Sequence, residues 1–366
     1  MQTIAYPPRL SFRKRLRQSS IVRSLYYDFG LANLMVFAGI GGFERQINAA
    51  FSQFLSKGER QDINLLRRLR KDIKQCYYRY KTTPSEYFLF KFREKSAEER
   101  STYLSDSAIM SIAAKTISRR LHDEELENKY NFYKLNHPFF KRDAILISGE
   151  GDKHLFNEFA LRKNLIAKPN TGSVGSGIMV FHLQDDVDRE EAWKKMMAAE
   201  GEWIVEELVV QNKEMAIWNE SSVNTIRINS FLHGDKFEIL CPFIRTGRKG
   251  SFVDNGGQGG LFASIDSLTG NICTVGMDEY QREYEKHPDS GITFPGWQVP
   301  YWEDLLKTAE AVHRNMSNHI YVSWDFALTD KGWVLIEGNW GEFVAQQLTN
   351  KRGFKADFLK CIYNRQ

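Results

Sequence analysis

The sequence predicts an α+β fold in which a mainly helical, basic N-terminal region precedes two parts that contain β-sheet. The first 150 residues hold 27 Lys and Arg against 16 Asp and Glu, and the rest of the chain holds 23 against 30. All eight tryptophans lie between Trp193 and Trp340. Apolar residues recur at helical spacing early in the chain, whereas short apolar runs between turns dominate later. We expect a helical region over 1–124, a small α/β part over 125–207, and a larger antiparallel part over 208–366.

Composition excludes several classes of protein. With 366 residues, 42% hydrophobic and 26% charged, the chain can bury two or three cores and resembles neither a fibrous nor a disordered protein. Its four cysteines are widely separated and form no CxxC pair, so neither a disulfide framework nor a thiolate zinc site is expected. There is no secretory signal and no apolar run of about 18 residues. We therefore expect a cytoplasmic protein.

The N-terminal region carries an excess of positive charge. Leu65, Leu66, Leu69 and Ile73 recur at helical spacing with basic residues between them. The segment 9–23 has six basic residues and no acid. Such a patch fits an anionic surface, either a lipid headgroup layer at the inner membrane or a polyanionic glycan, although a solvated helix face is the alternative. No nucleic-acid-binding motif accompanies it, so we expect no nucleic-acid partner.

Between residues 125 and 207 the pattern alternates between helix and strand. We expect helices over 128–136, ended by Pro138, and over 152–163, capped by Asp152. Strands are expected over 144–148, 165–168, 178–182 and from 203. Beyond 208, the chain predicts a hairpin of 225–232 with 237–244, a strand over 261–265, a helix over 302–316 and a last hairpin over 321–338.

A glycine-rich loop joins two of these strands. Lys168 precedes Thr171-Gly172-Ser173-Val174-Gly175-Ser176-Gly177. Small residues let backbone amides approach phosphate oxygens, and an ammonium group adds positive charge. A Walker loop leads into a helix, and a protein kinase has its lysine after the glycine loop, so neither pattern fits. The pattern favours a hairpin lid with a lysine at its entrance, the alternative being an ordinary turn.

Two carboxylates are expected to meet in the last hairpin. If Asp330-Lys331-Gly332 forms the loop and Thr329 pairs with Trp333, then Asp325 lies opposite Glu337. Opposed side chains have Cβ atoms about 4.5–5.5 Å apart, so the two charges repel each other unless a cation lies between them. Asn339 shares the face of Glu337, and three oxygen donors suit Mg²⁺. A solvent-facing polar stripe is the alternative.

Arginines and an extended segment complete the candidate site. Arg227 lies on the polar face of an amphipathic strand, and Arg245 ends the partner strand. Either could bind a phosphoryl group or a carboxylate, or could be a surface salt-bridge partner. The segment 203–210 could offer backbone groups to an adenine edge, unless it is an ordinary inter-domain strand.

The order of these motifs resembles the ATP-grasp superfamily. The motifs Asn224-Thr225-Ile226-Arg227, Asp254-Asn255, Gly259-Gly260 and Glu337-Gly338-Asn339 look like its sugar-transfer-associated group, whose members are often described as related to α-L-glutamate ligases. The likeness covers about residues 125–345. It implies an ATP-grasp fold with a small lid subdomain and a larger subdomain that carries the metal site.

The resemblance also implies roles for individual residues. Two lysines would bind ATP phosphate, namely Lys168 and Lys129, and Arg227 would be a catalytic residue that stabilises an acyl phosphate. Arg245 is a second catalytic candidate because of its place at the end of the partner strand. The loop residues Thr171, Gly172, Ser173, Gly175, Ser176 and Gly177 would close over the phosphates. The adenine or ribose would be bordered by Glu206, Glu207 and Leu208, and Mg²⁺ would be held by Asp325, Glu337 and Asn339.

The resemblance implies an ATP-dependent carboxylate–amine ligase. It would form an amide through an acyl phosphate and attach an amino acid to a glycan or a glycan precursor in polysaccharide biosynthesis. Two features depart from the family pattern: Ser176 stands where many such loops have a basic residue, and the N-terminal region is helical rather than α/β. The alternative is a non-catalytic nucleotide-binding scaffold of a glycan-assembly system. A kinase-like phosphotransferase is disfavoured because no His-Arg-Asp loop is present.

Overall fold

The predicted α+β class is confirmed, with helices preceding two antiparallel sheets. A computed structural model describes residues 42–116, 125–172, 177–251, 254, 259–339 and 343–363. It divides into two compact units, the first ending at Ile112 and the second beginning at Ala113. The boundaries at 124 and 207 stay predictions.

The described part of the N-terminal region, residues 42–116, is helical, as its periodicity predicts. The second helix begins at Asp62, whose carboxylate accepts the backbone N–H groups of Asn64 and Leu65. Its apolar face buries Leu69 and Ile73. The helices of this region are α1 (Phe43–Phe54), α2 (Ile63–Tyr80), α3 (Pro84–Leu89), α4 (Ala97–Ser101) and α5 (Asp106–Thr116).

The smaller sheet has four antiparallel strands. They are β1 (Ala144–Ile147), β2 (Asn164–Pro169), β3 (Met179–His182) and β4 (Trp203–Glu207), in the order β1-β4-β2-β3. The helices around this part of the chain are α6 (Lys129–Phe140), α7 (Lys153–Phe159) and α8 (Asp186–Met197). Aromatic side chains of α7 and α8 pack on the apolar face, where Phe156 and Trp193 bury Leu165 and Val205.

Two helix boundaries differ from the prediction. α6 continues past Pro138 because the helix is kinked at Asn136, whose φ is −114° and ψ 15°. A proline near the start of the new helical segment costs little, since its missing N–H would be unpaired there in any case. Asp152 does not cap α7; its carboxylate accepts the N–H of Ser148 at 2.7 Å instead.

The larger sheet carries the last hairpin. Its strands are β5 (Thr225–His233), β6 (Lys236–Ile239), β7 (Phe243–Thr246), β8 (Leu261–Ser264), β9 (Gly276–Met277), β10 (Glu283–Tyr284), β11 (Tyr321–Thr329) and β12 (Gly332–Asn339). They follow the order β10-β9-β8-β7-β5-β11-β12, with β6 also paired to β5. The predicted single strand over 237–244 is therefore wrong: β6 and β7 are separated at Cys241, which has a φ of +48°.

Helices pack on both faces of this sheet: α6 lies on the apolar face, and Phe358 of the last helix packs against Phe231 and Tyr321 on the face that carries Asp325. The remaining helices are α9 (Lys213–Ala216), α10 (Trp302–Asn315), α11 (Val344–Thr349) and α12 (Lys355–Tyr363). α6 and α10 contact β12 and β5 across a core that contains Phe132, Leu305 and Trp324. The polar side chains of β5, β11 and β12 that concern function alternate with these core residues and so point to the opposite face.

Close packing of α6 on β12 depends on Gly338. A Cβ atom on this glycine would lie 2.9 Å from the ring of Phe132 and 3.1 Å from that of Trp324. Both rings are buried, so neither can move aside without opening the core.

We expect Gly338→Ala to lower the free energy of unfolding by roughly 1–3 kcal/mol, the usual cost of overpacking a rigid core. Thermal unfolding followed by circular dichroism measures the change. The matched control is Gly151→Ala, because a Cβ there would meet nothing within 4 Å. Equal melting temperatures for the two variants would contradict this account of α6 packing.

Candidate functional site

The last hairpin brings Asp325 opposite Glu337, as predicted, but by a different route. The predicted three-residue loop is wrong, because Thr329 pairs with Gly332 across a two-residue turn. The ladder continues as far as Phe326 opposite Leu335, and then shifts so that Asp325 faces Glu337. Ile336 is the extra residue of a β-bulge. The bulge restores the pairing that the shorter turn alone would have displaced by one residue.

Asp325 lies at the centre of a buried ion-pair network. It is 2% exposed and faces Arg227 on β5. The Nε and Nη2 of Arg227 donate to its two oxygens at 2.6 and 2.7 Å, and Nη1 of Arg245 donates at 3.0 Å. Burial acts to raise the pKa of Asp325, but the two guanidinium groups outweigh it and the pKa is lowered. Asp325 is therefore ionised at neutral pH.

Both arginines are ion-pair partners, but neither pair is at the surface. Arg227 is 7% exposed. Arg245 reaches a second carboxylate, because its Nη2 donates to Asp254 Oδ1 at 2.7 Å. The hydroxyl of Thr225 donates to the other oxygen of Asp254. The surface salt-bridge alternative is therefore wrong, and the arginines belong to the polar face of the sheet beside Asp325.

Glu337 and Asn339 share this polar face at the edge strand. The amide Nδ2 of Asn339 donates to Glu337 Oε1 at 3.0 Å. Burial raises the pKa of Glu337, and the neighbouring charge of Asp325 raises it further. Two adjacent carboxylates and an amide are a donor set that fits a hard divalent cation. Within the described ranges, no group of three His, Cys, Asp or Glu is arranged to hold a metal.

The two predicted lysines lie at the end of the smaller sheet where the glycine-rich loop begins. Lys168 is the penultimate residue of β2, and its Nζ donates to Glu206 Oε1 at 2.7 Å. Lys129 begins α6, and its Nζ donates to the carbonyl oxygens of Pro169 and Gly172 at 3.2 and 2.7 Å. Burial lowers the pKa of Lys129, while Glu337 acts in the opposite direction. Lys168 also acts electrostatically on Glu337. Both lysines therefore interact electrostatically with Glu337 of the acidic pair.

The glycine-rich loop joins β2 to β3, the antiparallel pair expected for a hairpin lid. Thr171 bridges to Asn128, and Gly172 and Gly177 have φ values of +115° and +81°, which favour glycine. The other predicted loop residues, Ser173, Gly175 and Ser176, lie outside the described residues. The Nζ of Lys129 donates to backbone carbonyls at the base of this loop, a contact that the sequence does not indicate.

The predicted adenine-border residues separate onto two faces of β4. Glu206 is 2% exposed and turns toward Lys168. Glu207 turns the other way, where it accepts the Nε of Arg162 at 3.1 Å. Leu208 is half-buried, and its N–H donates to Asn164. Only Glu206 thus brings a side chain to the lysines; Glu207 and Leu208 can contribute through their backbone.

One residue of this cluster is missed by sequence reasoning. Arg142 is 8% exposed, and its Nε and Nη2 donate to Glu206 Oε2 at 2.9 and 2.5 Å. In the sequence it stands between Lys141 and Asp143 and looks like part of a charged turn. The sequence predicts both the helix before it, α6, and the strand after it, β1, but neither pattern indicates that the side chain of Arg142 turns inward.

No curated protein sequence matches the chain. Among solved structures, N5-carboxyaminoimidazole ribonucleotide synthetase in complex with ADP has a TM-score of 0.37 and 11% identity over 60% of this chain and 46% of its own. D-alanyl-alanine synthetase A from Vibrio cholerae has a TM-score of 0.42 and 12% identity over 68% and 67%. PsnB, an ATP-grasp ligase complexed with minimal precursor, gives 0.42 and 12% over 76% and 71%.

The chain thus spans less than half the length of the first of these structures and about two thirds or more of the other two. The sequence profile of the sugar-transfer associated ATP-grasp family matches residues 115–362, which is well over half of the chain. The prediction of an ATP-grasp fold is confirmed at this level. This protein belongs to the sugar-transfer associated ATP-grasp family.

Proposed function

We propose that the protein is an ATP-dependent carboxylate–amine ligase that forms an amide through an acyl phosphate. The observation that supports this proposal is that two lysines, Lys168 and Lys129, lie near enough to Glu337 of the last hairpin to act on it electrostatically. Lysine side chains can neutralise the negative charge of phosphate groups, and carboxylates can coordinate the divalent ion that a nucleotide brings with it. A scaffold that only bound nucleotide would also use such a cluster, so turnover separates the two functions.

In the proposed reaction, a substrate carboxylate oxygen attacks the γ-phosphorus of ATP and ADP leaves. An amine then attacks the acyl carbon, loses a proton, and releases phosphate as the amide forms. Lys168 and Lys129 would neutralise phosphate charge, and amides of Thr171–Gly177 would approach the phosphates and exclude water. Backbone groups of Glu206–Leu208 would border the adenine or ribose.

The metal site would be formed by Glu337, Asn339 and Asp325. Bound Mg²⁺ supplies neutralisation of phosphate charge. Asp325 already accepts three N–H groups from Arg227 and Arg245, so it has fewer lone pairs left than Glu337. We propose that the two arginines keep Asp325 ionised and oriented, and that they stabilise negative charge on the acyl phosphate.

The substrates proposed are an amino acid as amine and a carboxylate of a glycan or glycan precursor, in line with the description of the family. We propose a cytoplasmic protein with no nucleic-acid partner. None of the helices in the described part of the chain has the length and hydropathy to cross a bilayer. Contact with an anionic surface is proposed for the basic N-terminal region, whose segment 9–23 lies outside the described residues.

The exposed face of α2 supports this contact. Arg67, Arg68, Lys71 and Arg79 are all exposed, and in the described part of the chain no ion pair involves any of them. Tyr78 lies on the same face and is 62% exposed. Basic residues beside an exposed aromatic residue fit the interface of an anionic lipid layer.

We expect Glu337→Gln to abolish ADP release while leaving the fold intact, because the amide keeps the shape of the side chain but loses the charge that a cation requires. The assay measures ADP during incubation with ATP, Mg²⁺, mixed amino acids and uronic acids, with product mass as the second readout. Glu190→Gln on the exposed surface of α8 is the control and should keep full activity. Unchanged ADP release in Glu337→Gln would exclude the proposed metal role, and nucleotide binding without ADP release by the unmodified protein would favour the scaffold.

Asp325→Asn should lower the stability of the fold itself. Removing this charge leaves two buried guanidinium groups without their shared anion, and breaking a buried pair costs roughly 3–5 kcal/mol. Urea unfolding should therefore show a large loss of stability. Asp357→Asn, which breaks the exposed pair with Arg352, should cost about 1 kcal/mol or less. A loss of similar size in both variants would contradict the central role given to Asp325.

Replacing Arg67 and Lys71 together by Gln should weaken binding of the full chain to vesicles rich in phosphatidylglycerol. At about 1 kcal/mol per basic residue, the loss is roughly 30-fold at low salt. Co-sedimentation measures it, and Lys194→Gln with Lys195→Gln on α8 is the matched control. Undiminished binding by the α2 variant, or equal binding to neutral phosphatidylcholine vesicles, would exclude this face. Binding to an anionic polysaccharide but not to vesicles would favour the glycan partner.

A further inference from the structure

We propose that Arg142 is a positioning residue for the nucleotide-binding lysine: it holds the buried carboxylate of Glu206 in place while Lys168 exchanges that carboxylate for a phosphate group of ATP. The inference rests on the proposed function and extends it to a residue that would not touch the nucleotide. It is supported by the contacts that the guanidinium group of Arg142 makes on its two edges, and by the burial of Arg142 and Glu206.

One edge of the Arg142 guanidinium binds one oxygen of Glu206, and Lys168 binds the other oxygen. Nε and Nη2 of the guanidinium donate to Oε2 at 2.9 and 2.5 Å, and the Nζ of Lys168 donates to Oε1 at 2.7 Å. Glu206 is 2% exposed and Arg142 8%. Each cation therefore has an oxygen of its own, and one can leave without disturbing the geometry of the other.

This division matters when Lys168 turns toward a phosphate. A buried carboxylate that loses its only partner is costly, because neither water nor another cation replaces the lost interaction. With Arg142 in place, Glu206 keeps two charge-assisted hydrogen bonds after Lys168 has left. Arg142 thus lowers the cost of releasing the lysine, and it also prevents Glu206 from following the lysine toward the nucleotide.

The other edge of the Arg142 guanidinium contacts β12, the strand that carries Glu337. Its Nη1 donates to the carbonyl oxygen of Leu335 at 2.8 Å and to that of Phe140 at 3.3 Å. Leu335 is the last regularly paired residue before the bulge that turns Glu337 toward Asp325. One planar guanidinium therefore connects β4 of the smaller sheet to β12 of the larger sheet, and so sets the spacing between Lys168 and the acidic pair.

A lysine cannot replace this arginine fully. An ammonium group at the end of a flexible stem can reach one partner strongly, whereas the guanidinium fork directs donors to Glu206 and Leu335 at the same time. The chain also contains a matched pair for comparison on the other face of β4. There Arg162 contacts Glu207, but both side chains are about one-third exposed, at 37% and 33%.

The test measures the affinity for ADP with Mg²⁺ by titration calorimetry. We expect Arg142→Met to weaken binding about tenfold, which corresponds to about 1.4 kcal/mol, and Arg142→Lys to recover only part of the loss. In a Glu206→Gln background, Arg142→Met should cause no further loss, because the carboxylate through which it acts is gone. The control Arg162→Met should bind as the unmodified protein does. Thermal unfolding of each variant confirms that folded protein is compared.

Two results would overturn the inference. A folded Arg142→Met protein that binds ADP with native affinity is one, and an equal loss with and without Glu206 is the other. If Arg142→Met does not fold, Arg142→Lys is subjected to the same comparison and decides it. If the unmodified protein does not bind ADP at all, both the proposed function and the inference fail. If the unmodified protein and the Arg142 variants bind ADP with the same affinity, only the inference fails.

Discussion

The charge of Asp325 is the constraint around which the polar face of the larger sheet is organised. A carboxylate that is 2% exposed stays ionised only where other groups replace the water that it has lost. Arg227 does so from the directly opposed position on β5, and Arg245 from the next strand, β7. This arrangement requires that β7, β5 and β11 be neighbours in register. A slip of one residue in any of them would move a charge into the apolar core.

The same requirement governs the smaller sheet, where Glu206 is buried between Arg142 and Lys168. Two carboxylates of the candidate site, Asp325 and Glu206, are therefore already paired with cations in the protein without nucleotide. Under the proposed function, binding of an ATP phosphate at Lys168 would be an exchange of partners, because this lysine is already paired with Glu206. Such exchange avoids the cost of unpaired buried charge in the ligand-free protein, and it makes the affinity for nucleotide depend on how easily each internal pair can be released.

The sequence predicts those features that depend on local pattern. Helical periodicity predicts α2, apolar runs flanked by turns predict β2 and β11, and the glycine loop is correctly expected between two strands. It does not predict features that depend on contacts between distant segments. The inward turn of Arg142 depends on Glu206, some 60 residues later, and the contact of Lys129 with the loop base depends on where α6 lies. The separation of Glu206 and Glu207 could have been expected, because successive residues of a strand point to opposite faces.

The last hairpin shows why a correct pairing can follow from incorrect local geometry. With the two-residue turn alone, Glu337 would stand opposite Trp324, on the face that packs against α6, and Ile336 would stand opposite Asp325. The bulge inserts one residue, so that Leu335 stays buried opposite Phe326 while Glu337 moves to the polar face. Gly338 then lies under Phe132, where any side chain would clash. The turn, the bulge and the glycine together are what allow one short strand to contribute to the apolar core at Leu335 and to a charged site only two residues later.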